Sequence, residues 1–161
     1  DKYGDLPTTC PSDHIIGVTK IDHNDEIPPN AGYGPISIDL AAFGQNIYST
    51  SIDDGYGPFS GTSAAAPQIA GLVALLYSAP CPSFMEMARN QPEAASLLVK
   101  EYILNGVEEI DVLQNITVTG GRLNSANSLQ LLRDDCNYSG CYRYRVGDYR
   151  VVQSFVLAHR R

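Results

Sequence analysis

Apolar and polar positions change their rhythm twice along these 161 residues. Residues 1–12 are rich in Gly, Pro and Thr and read as loop. Ile15–Ile21 is a short, largely apolar run, as expected of a strand covered on both faces. A polar, Pro- and Gly-rich stretch from Asp22 to Pro35 follows, then expected strands over Ile36–Leu40 and Gln45–Ser51. Asp53-Asp54-Gly55-Tyr56-Gly57-Pro58 reads as turns. After residue 60 the pattern becomes helical. The longest apolar run, Ile69–Tyr77, predicts a helix in which Leu72, Val73, Leu75 and Leu76 must be buried. It ends near Ser78, before Pro80. Ser83–Met87 suggests a helical turn, Glu93–Leu104 an amphipathic helix capped by Asn105-Gly106, and Ser125–Arg133 a further helix. Leu97 and Leu98 are core positions rather than a binding stripe. Tyr142–Val146 alternates, Gly147-Asp148 can turn, and Tyr149–Leu157 can return as a hairpin strand. Short buried strands ahead of long helices point to an α/β fold with a parallel sheet.

The segment Gly61-Thr62-Ser63-Ala64-Ala65-Ala66-Pro67-Gln68-Ile69-Ala70-Gly71 joins loop to apolar helix. It places a hydroxyl at the mouth of that helix, where unpaired N–H groups and the positive dipole end can hold a developing oxyanion. Gly61 allows a bend and close approach of a ligand. The three alanines let the helix sit close to its neighbours, and Pro67 reads as a first-turn residue. A bare Gly-Thr-Ser before an apolar helix is more often a simple N-cap.

The full run resembles the serine-nucleophile motif of the subtilisin-like serine proteases, the subtilases. That pattern reads Gly-Thr-Ser, usually Met, two small residues, Pro, often His, an aliphatic, Ala, Gly. Ala64 stands in place of Met and Gln68 in place of His. Asp13–Asp22 is similar to the buried strand well upstream of the nucleophile. Ile36–Gly44 is similar to the strand ending in an Ala-Pro-Gly turn, with Phe43 for Pro. Gly120-Gly121-Arg122-Leu123-Asn124, followed by Ala126, is similar to the approach to the last helix. The resemblance runs over about residues 10–132 and implies a partial, C-terminal half of the parallel-sheet subtilisin-like fold. Residues 1–133 then form the C-terminal part of the catalytic domain, and 134–161 an extension.

A serine hydroxyl needs a base, and the base needs an orienting group. Subtilases order these Asp, His, Ser along the chain, with both partners far upstream. Before Ser63 the chain offers only His14 and His23, neither in a His-Gly-Thr-His context. Both read as surface or loop histidines. The oxyanion Asn of the family is expected upstream of residue 1. An α/β-hydrolase order would use His159 with Asp111, Asp134 or Asp135, but that elbow needs Gly where Ala65 stands.

Nine acids against Lys2 and Lys20 place the whole net charge of −7 in residues 1–80, an acidic half that argues against nucleic acid. No run reaches the roughly 20 apolar residues of a membrane span. Cys136-Asn137-Tyr138-Ser139-Gly140-Cys141 reads as a short disulfide loop if the protein is exported, with free thiols or a metal as alternatives. Cys10 and Cys81 could pair only with Cα atoms within about 7 Å. Asp53 and Asp54 invite a calcium reading, but adjacent carboxylates in a Gly-rich loop are more often turn residues. The resemblance allows structural Ca²⁺ without placing it. Asn115-Ile116-Thr117 and Asn137-Tyr138-Ser139 fit glycosylation sequons that matter only in a eukaryotic secretory host.

The expected activity is that of a secreted or cell-surface serine endopeptidase. Ser63 is the nucleophile, and Gly61 and Thr62 contact the substrate. The base and acid come from a missing N-terminal half or a partner chain. Protein or peptide is the substrate, and these residues alone are expected to be inactive. The competing class is an inactive subtilase-like scaffold in which Ser63 only caps a helix.

Overall fold

The computed structural model describes residues 6–138. Four strands form one mixed sheet in the order β1 (Val18–Ile21), β2 (Leu40–Phe43), β6 (Gly121–Arg122), β5 (Glu108–Glu109). β1, β2 and β6 run parallel, with Val18 opposite Leu40, Ile21 opposite Phe43 and Ala41 opposite Arg122. β5 closes the sheet antiparallel to β6. Side chains alternate across a strand, and β2 shows what that does here. Leu40 and Ala42 join the core beneath the helices, whereas Ala41 packs on the other face with Ile21 and Leu113. Both faces of β2 are therefore covered, which is why its sequence is an apolar run rather than an alternation.

Helix α1 (Thr62–Ser78) lies across β1 and β2, with α2 (Pro82–Asn90), α3 (Pro92–Asn105) and α4 (Ser125–Tyr138) packed around it. Pro82 and Pro92 sit in the first turns of α2 and α3, where no N–H is required. α1 stops at Ala79, whose ψ of 140° is extended, as the residue before Pro80 must be. Ala65, Ile69, Leu72 and Leu76 form its single buried stripe. The expectation that Leu75 is buried is not met: it is 50% exposed. Ala66, Ala70, Gly71 and Ala74 are also exposed, so one whole face of a strongly apolar helix lacks a covering layer among the described residues.

Several boundaries differ from the sequence reading. The strand expected over Ile36–Leu40 lies at Leu40–Phe43 instead. Ile36 is 82% exposed, and the Ile38 amide closes a turn onto Gly34. Asp39 ends that turn: its carboxylate accepts from the Gly17 amide at 2.7 Å and faces the Lys100 ammonium at 3.9 Å. The Gln45–Ser51 strand is found as β3 (Ile47–Thr50). Its antiparallel partner β4 (Tyr56–Phe59) falls in the stretch read as turns. Asp53 and Asp54 have φ of 59° and 55°, two consecutive left-handed residues between the two strands, a conformation that short polar side chains tolerate. The short turn expected at Ser83–Met87 is the nine-residue α2.

The expected Cys136–Cys141 loop is replaced by a different bond. Cys136 is joined to Cys81, with Cα atoms 5.6 Å apart at a sequence separation of 55. The reason is that α4 does not end at Arg133 but continues to Tyr138, which puts Cys136 on a helix beside the start of α2. Cys10 is exposed and has no disulfide partner among the described residues. Cys141, the hairpin expected over 142–157 and His159 lie outside the described residues.

Candidate active site

Ser63 is the second residue of α1, exposed, at the end of the helix where backbone amides are unpaired. The Gly61 cap contributes no side-chain hydrogen bond. The Ala64 amide turns back to the Gly61 carbonyl at 3.0 Å. Among the described residues neither the hydroxyl nor the amide of Ser63 has a hydrogen-bond partner, and the same is true of Thr62. The site thus presents a free hydroxyl, a free N–H and the positive end of a helix dipole at one point.

Two of the local expectations change. Gly61 does not bend: its φ of 165° is extended backbone. A Cβ there would meet the Ser63 amide nitrogen at 3.6 Å and the Phe59 ring at 3.7 Å, ordinary contacts. Pro67 is not a first-turn residue but lies inside the helix. Its missing N–H is the one that would have bonded to the Ser63 carbonyl, four residues back.

What holds this helix start is the end of β2. The Gly44 amide donates to the Ile21 carbonyl at 2.9 Å, and the Gly61 amide donates to the Gly44 carbonyl at 2.8 Å. Gly44 is the glycine this packing demands. A Cβ on it would lie 2.5 Å from Lys20 Cβ and 2.7 Å from the Gly61 carbonyl oxygen. Beyond Ser63, the Gln68 side-chain amide donates both to the Phe43 carbonyl and, at 3.0 Å, to the Ala64 carbonyl. Lys20, in the strand read as apolar, is 2% exposed, and its ammonium donates to Asn30 Oδ1 at 2.8 Å. Sequence reasoning assigned no role to Gly44, Lys20 or Gln68. The family-like turn at Ala42-Phe43-Gly44 and the Gln in place of His were the available signals.

The histidines do not assemble with Ser63. His14 precedes β1, with Nδ1 3.0 Å from Ser96 Oγ on α3. Ser63 follows a turn bonded beyond the far end of β2, and because β1 and β2 are parallel the two lie at opposite ends of the sheet. His23 is exposed in the turn after β1. There the Asp22 carboxylate accepts from the amides of Glu26 and Asn24 at 3.0 and 2.8 Å. Those amides, Glu26 foremost, and the nearby His23 hold the Asp22 carboxyl below its ordinary value. No hydrogen bond joins either imidazole to Ser63. Among the described residues no three His, Cys, Asp or Glu side chains gather as metal ligands. No single described helix is long and apolar enough to cross a membrane.

Comparison with known proteins shows what this fold is similar to. Residues 2–126 match the family model described as Peptidase_S8, the subtilase family. Subtilisin-like protease 2 of Plasmodium falciparum is 43% identical over 72 residues, covering 45% of this chain and 5% of that protein. Subtilisin-like protease SBT6.1 of Arabidopsis thaliana is 28% identical over 142 residues, covering 81% of this chain and 13% of that protein. The structure of the CspB protease of Clostridium perfringens aligns at a TM-score of 0.63 and 26% identity, over 80% of this chain and 28% of that one. The subtilase cytotoxin SubAB structure aligns at 0.61 and 22% identity, over 83% of this chain and 40% of that one. The chain therefore spans a minor part of each of these relatives. With the family match over most of its length, a parallel sheet under a helix that begins at Thr62-Ser63, and neighbours of the same fold, this chain belongs to the subtilase family of serine proteases.

Proposed function

We propose that this chain carries the nucleophile of a serine endopeptidase acting on protein or peptide substrates, and that the base, its orienting carboxylate and the second oxyanion donor come from outside it. The observation that carries the reading is the free Ser63 hydroxyl beside its own unpaired amide at a helix start. Ser63 Oγ attacks the scissile carbonyl carbon and its proton passes to the external base. The carbonyl oxygen becomes an oxyanion held by the Ser63 N–H. Collapse expels the amine, which takes that proton, and leaves an acyl-enzyme that water hydrolyses. Thr62 and Gly61 flank this point, and the missing side chain at Gly61 leaves the Ser63 amide, which a Cβ there would face at 3.6 Å, more accessible to a substrate backbone.

The need for a further segment is supported by three features. One face of α1 is apolar and uncovered, the outer edge of β1 pairs with no described strand, and neither upstream histidine meets Ser63. An N-terminal half, in the same protein or as a separate chain, supplies that cover. The Cys81–Cys136 bond supports an oxidising, exported location.

A fluorophosphonate probe applied to the complete protein tests the reading. Labelling at Ser63 that disappears in Ser63→Ala is the expected result. Equal labelling of the variant, or none of the wild type, leaves the inactive-scaffold reading in its place. These residues alone are expected to hydrolyse peptides no better than a site without a base, and addition of the N-terminal half is expected to restore labelling.

A further inference from the structure

Ser63 stands on a helix turn that its own backbone holds weakly. The cap at Gly61 gives no side-chain bond, and Pro67 cannot donate to the Ser63 carbonyl. The first turn therefore lacks a rung of its ladder at the residue whose position matters most. Two contacts make up the difference, one on each side of Ser63, and both go to consecutive carbonyls at the end of β2. The Gly61 amide takes Gly44, and the Gln68 side chain takes Phe43 while also binding Ala64 one turn below it.

We infer that Gln68 is a positioning residue for Ser63: its two N–H groups stitch the weakened first turn of α1 to the end of β2 and so set where the hydroxyl stands. This rests on reading Ser63 as the nucleophile. The chemistry explains the residue type. Both targets are carbonyl oxygens, so the bridge needs two donors on one nitrogen. A primary amide supplies them. Glutamate at this position has only acceptors, leucine has neither, and a neutral histidine has one ring N–H and can serve a single carbonyl. Gln68 touches no reacting atom. It acts through the backbone of Phe43 and Ala64.

The test uses the complete protein carrying Gln68→Leu, Gln68→Glu or Gln68→His, read in two ways. In probe labelling, Leu and Glu are expected to lower the maximal acylation rate of Ser63 by about 10–100-fold, the scale of a misplaced reacting group. The half-saturating probe concentration should change by no more than about twofold, because ground-state binding is not the target. Gln68→His, which keeps one of the two donors, should fall between Gln68→Leu and the wild type. In amide hydrogen exchange, Gln68→Leu should speed exchange of residues 61–66 by about 10-fold while α3 keeps its protection. Wild-type labelling rates and unchanged exchange at 61–66 in Gln68→Leu overturn the inference. So does a loss that appears equally in α3 and is not relieved by histidine, because that is a general loss of stability. If Ser63→Ala labels like the wild type, the nucleophile reading fails by itself. The exchange result then still decides whether Gln68 holds the helix start.

Discussion

The amide of Gly61 donates to the carbonyl of Gly44 at 2.8 Å, so the turn before Ser63 hangs from the end of β2. Gly44→Ala drives a Cβ to 2.5 Å from Lys20 Cβ and 2.7 Å from the Gly61 carbonyl oxygen. It should cost about 1–3 kcal/mol of stability, as overpacking does. Gly61→Ala meets only ordinary contacts here and should change stability by less than about 1 kcal/mol. It should nonetheless slow cleavage of peptides, because its Cβ stands 3.6 Å from the Ser63 amide nitrogen and crowds the approach to it. Paired denaturation and peptidase assays separate the two glycines. Equal destabilisation by both substitutions would contradict the packing described.

Arg122 spans two carboxylates, Asp25 at 2.6 Å and Glu108 at 2.7 Å, with its guanidinium 4.9 Å above the Phe43 ring. A lysine offers no planar fork and stacks less well. Arg122→Lys should lower the unfolding free energy by about 1–2 kcal/mol. Denaturant melts at low and high salt check this. A variant as stable as the wild type would show that the clamp contributes little.

The Cys81–Cys136 bond closes a loop spanning 55 residues and ties the start of α2 to α4. Its removal in a Cys81→Ala, Cys136→Ala protein should cost about 2–4 kcal/mol. Non-reduced peptide mapping should return the Cys81 peptide linked to the Cys136 peptide. Recovery of a Cys136–Cys141 peptide would reinstate the pairing that the sequence alone suggested.

Tyr102 donates to Asp135 Oδ2 at 2.6 Å. Burial, with Asp135 beside it, pushes the Tyr102 hydroxyl far up, so it stays a donor at any physiological pH. Burial also raises the Asp135 carboxyl above its ordinary 3.8, against the lowering effect of the tyrosine hydrogen bond. A raised folded pKa means that the folded state holds its proton longer than the unfolded state does. The contribution of this group is therefore most favourable below pH 3.8 and is lost as pH rises through the raised folded value. Asp135→Asn keeps an acceptor for Tyr102 and removes the titration. Its stability relative to the wild type should increase as pH rises from about 4 to 7. A difference that is constant with pH would refute the assignment.

The helix start that bears Ser63 was legible because it depends on local order. Gly61-Thr62-Ser63, three alanines and an apolar run specify a helix start with a hydroxyl on it, wherever the rest of the chain goes. The burial of β1 on both faces was legible in Ile15–Ile21 for the same reason. The position of β2 was not, because Ile36 and Ile38 are as strand-prone as Leu40. Only the register with Val18–Ile21 and the Asp39 contact to Gly17 select residues 40–43. The β3–β4 hairpin was half hidden, since its turn needs φ > 0 at Asp53 and Asp54, and glycines and a proline inside β4 read as breakers.

By itself, the sequence determined the periodicities and the helix that bears Ser63. Those follow from residue type and short-range spacing, which the backbone obeys locally. The tertiary structure alone decided which cysteine Cys136 meets, which carbonyls Gln68 reaches and which glycine is sterically required. Each of these depends on the meeting of segments far apart along the chain: 55 residues for the disulfide and 25 for Gln68 and Phe43. Chain order does not encode such distances. They arise when apolar faces are buried together, and the polar partners are then whatever that packing brings within reach.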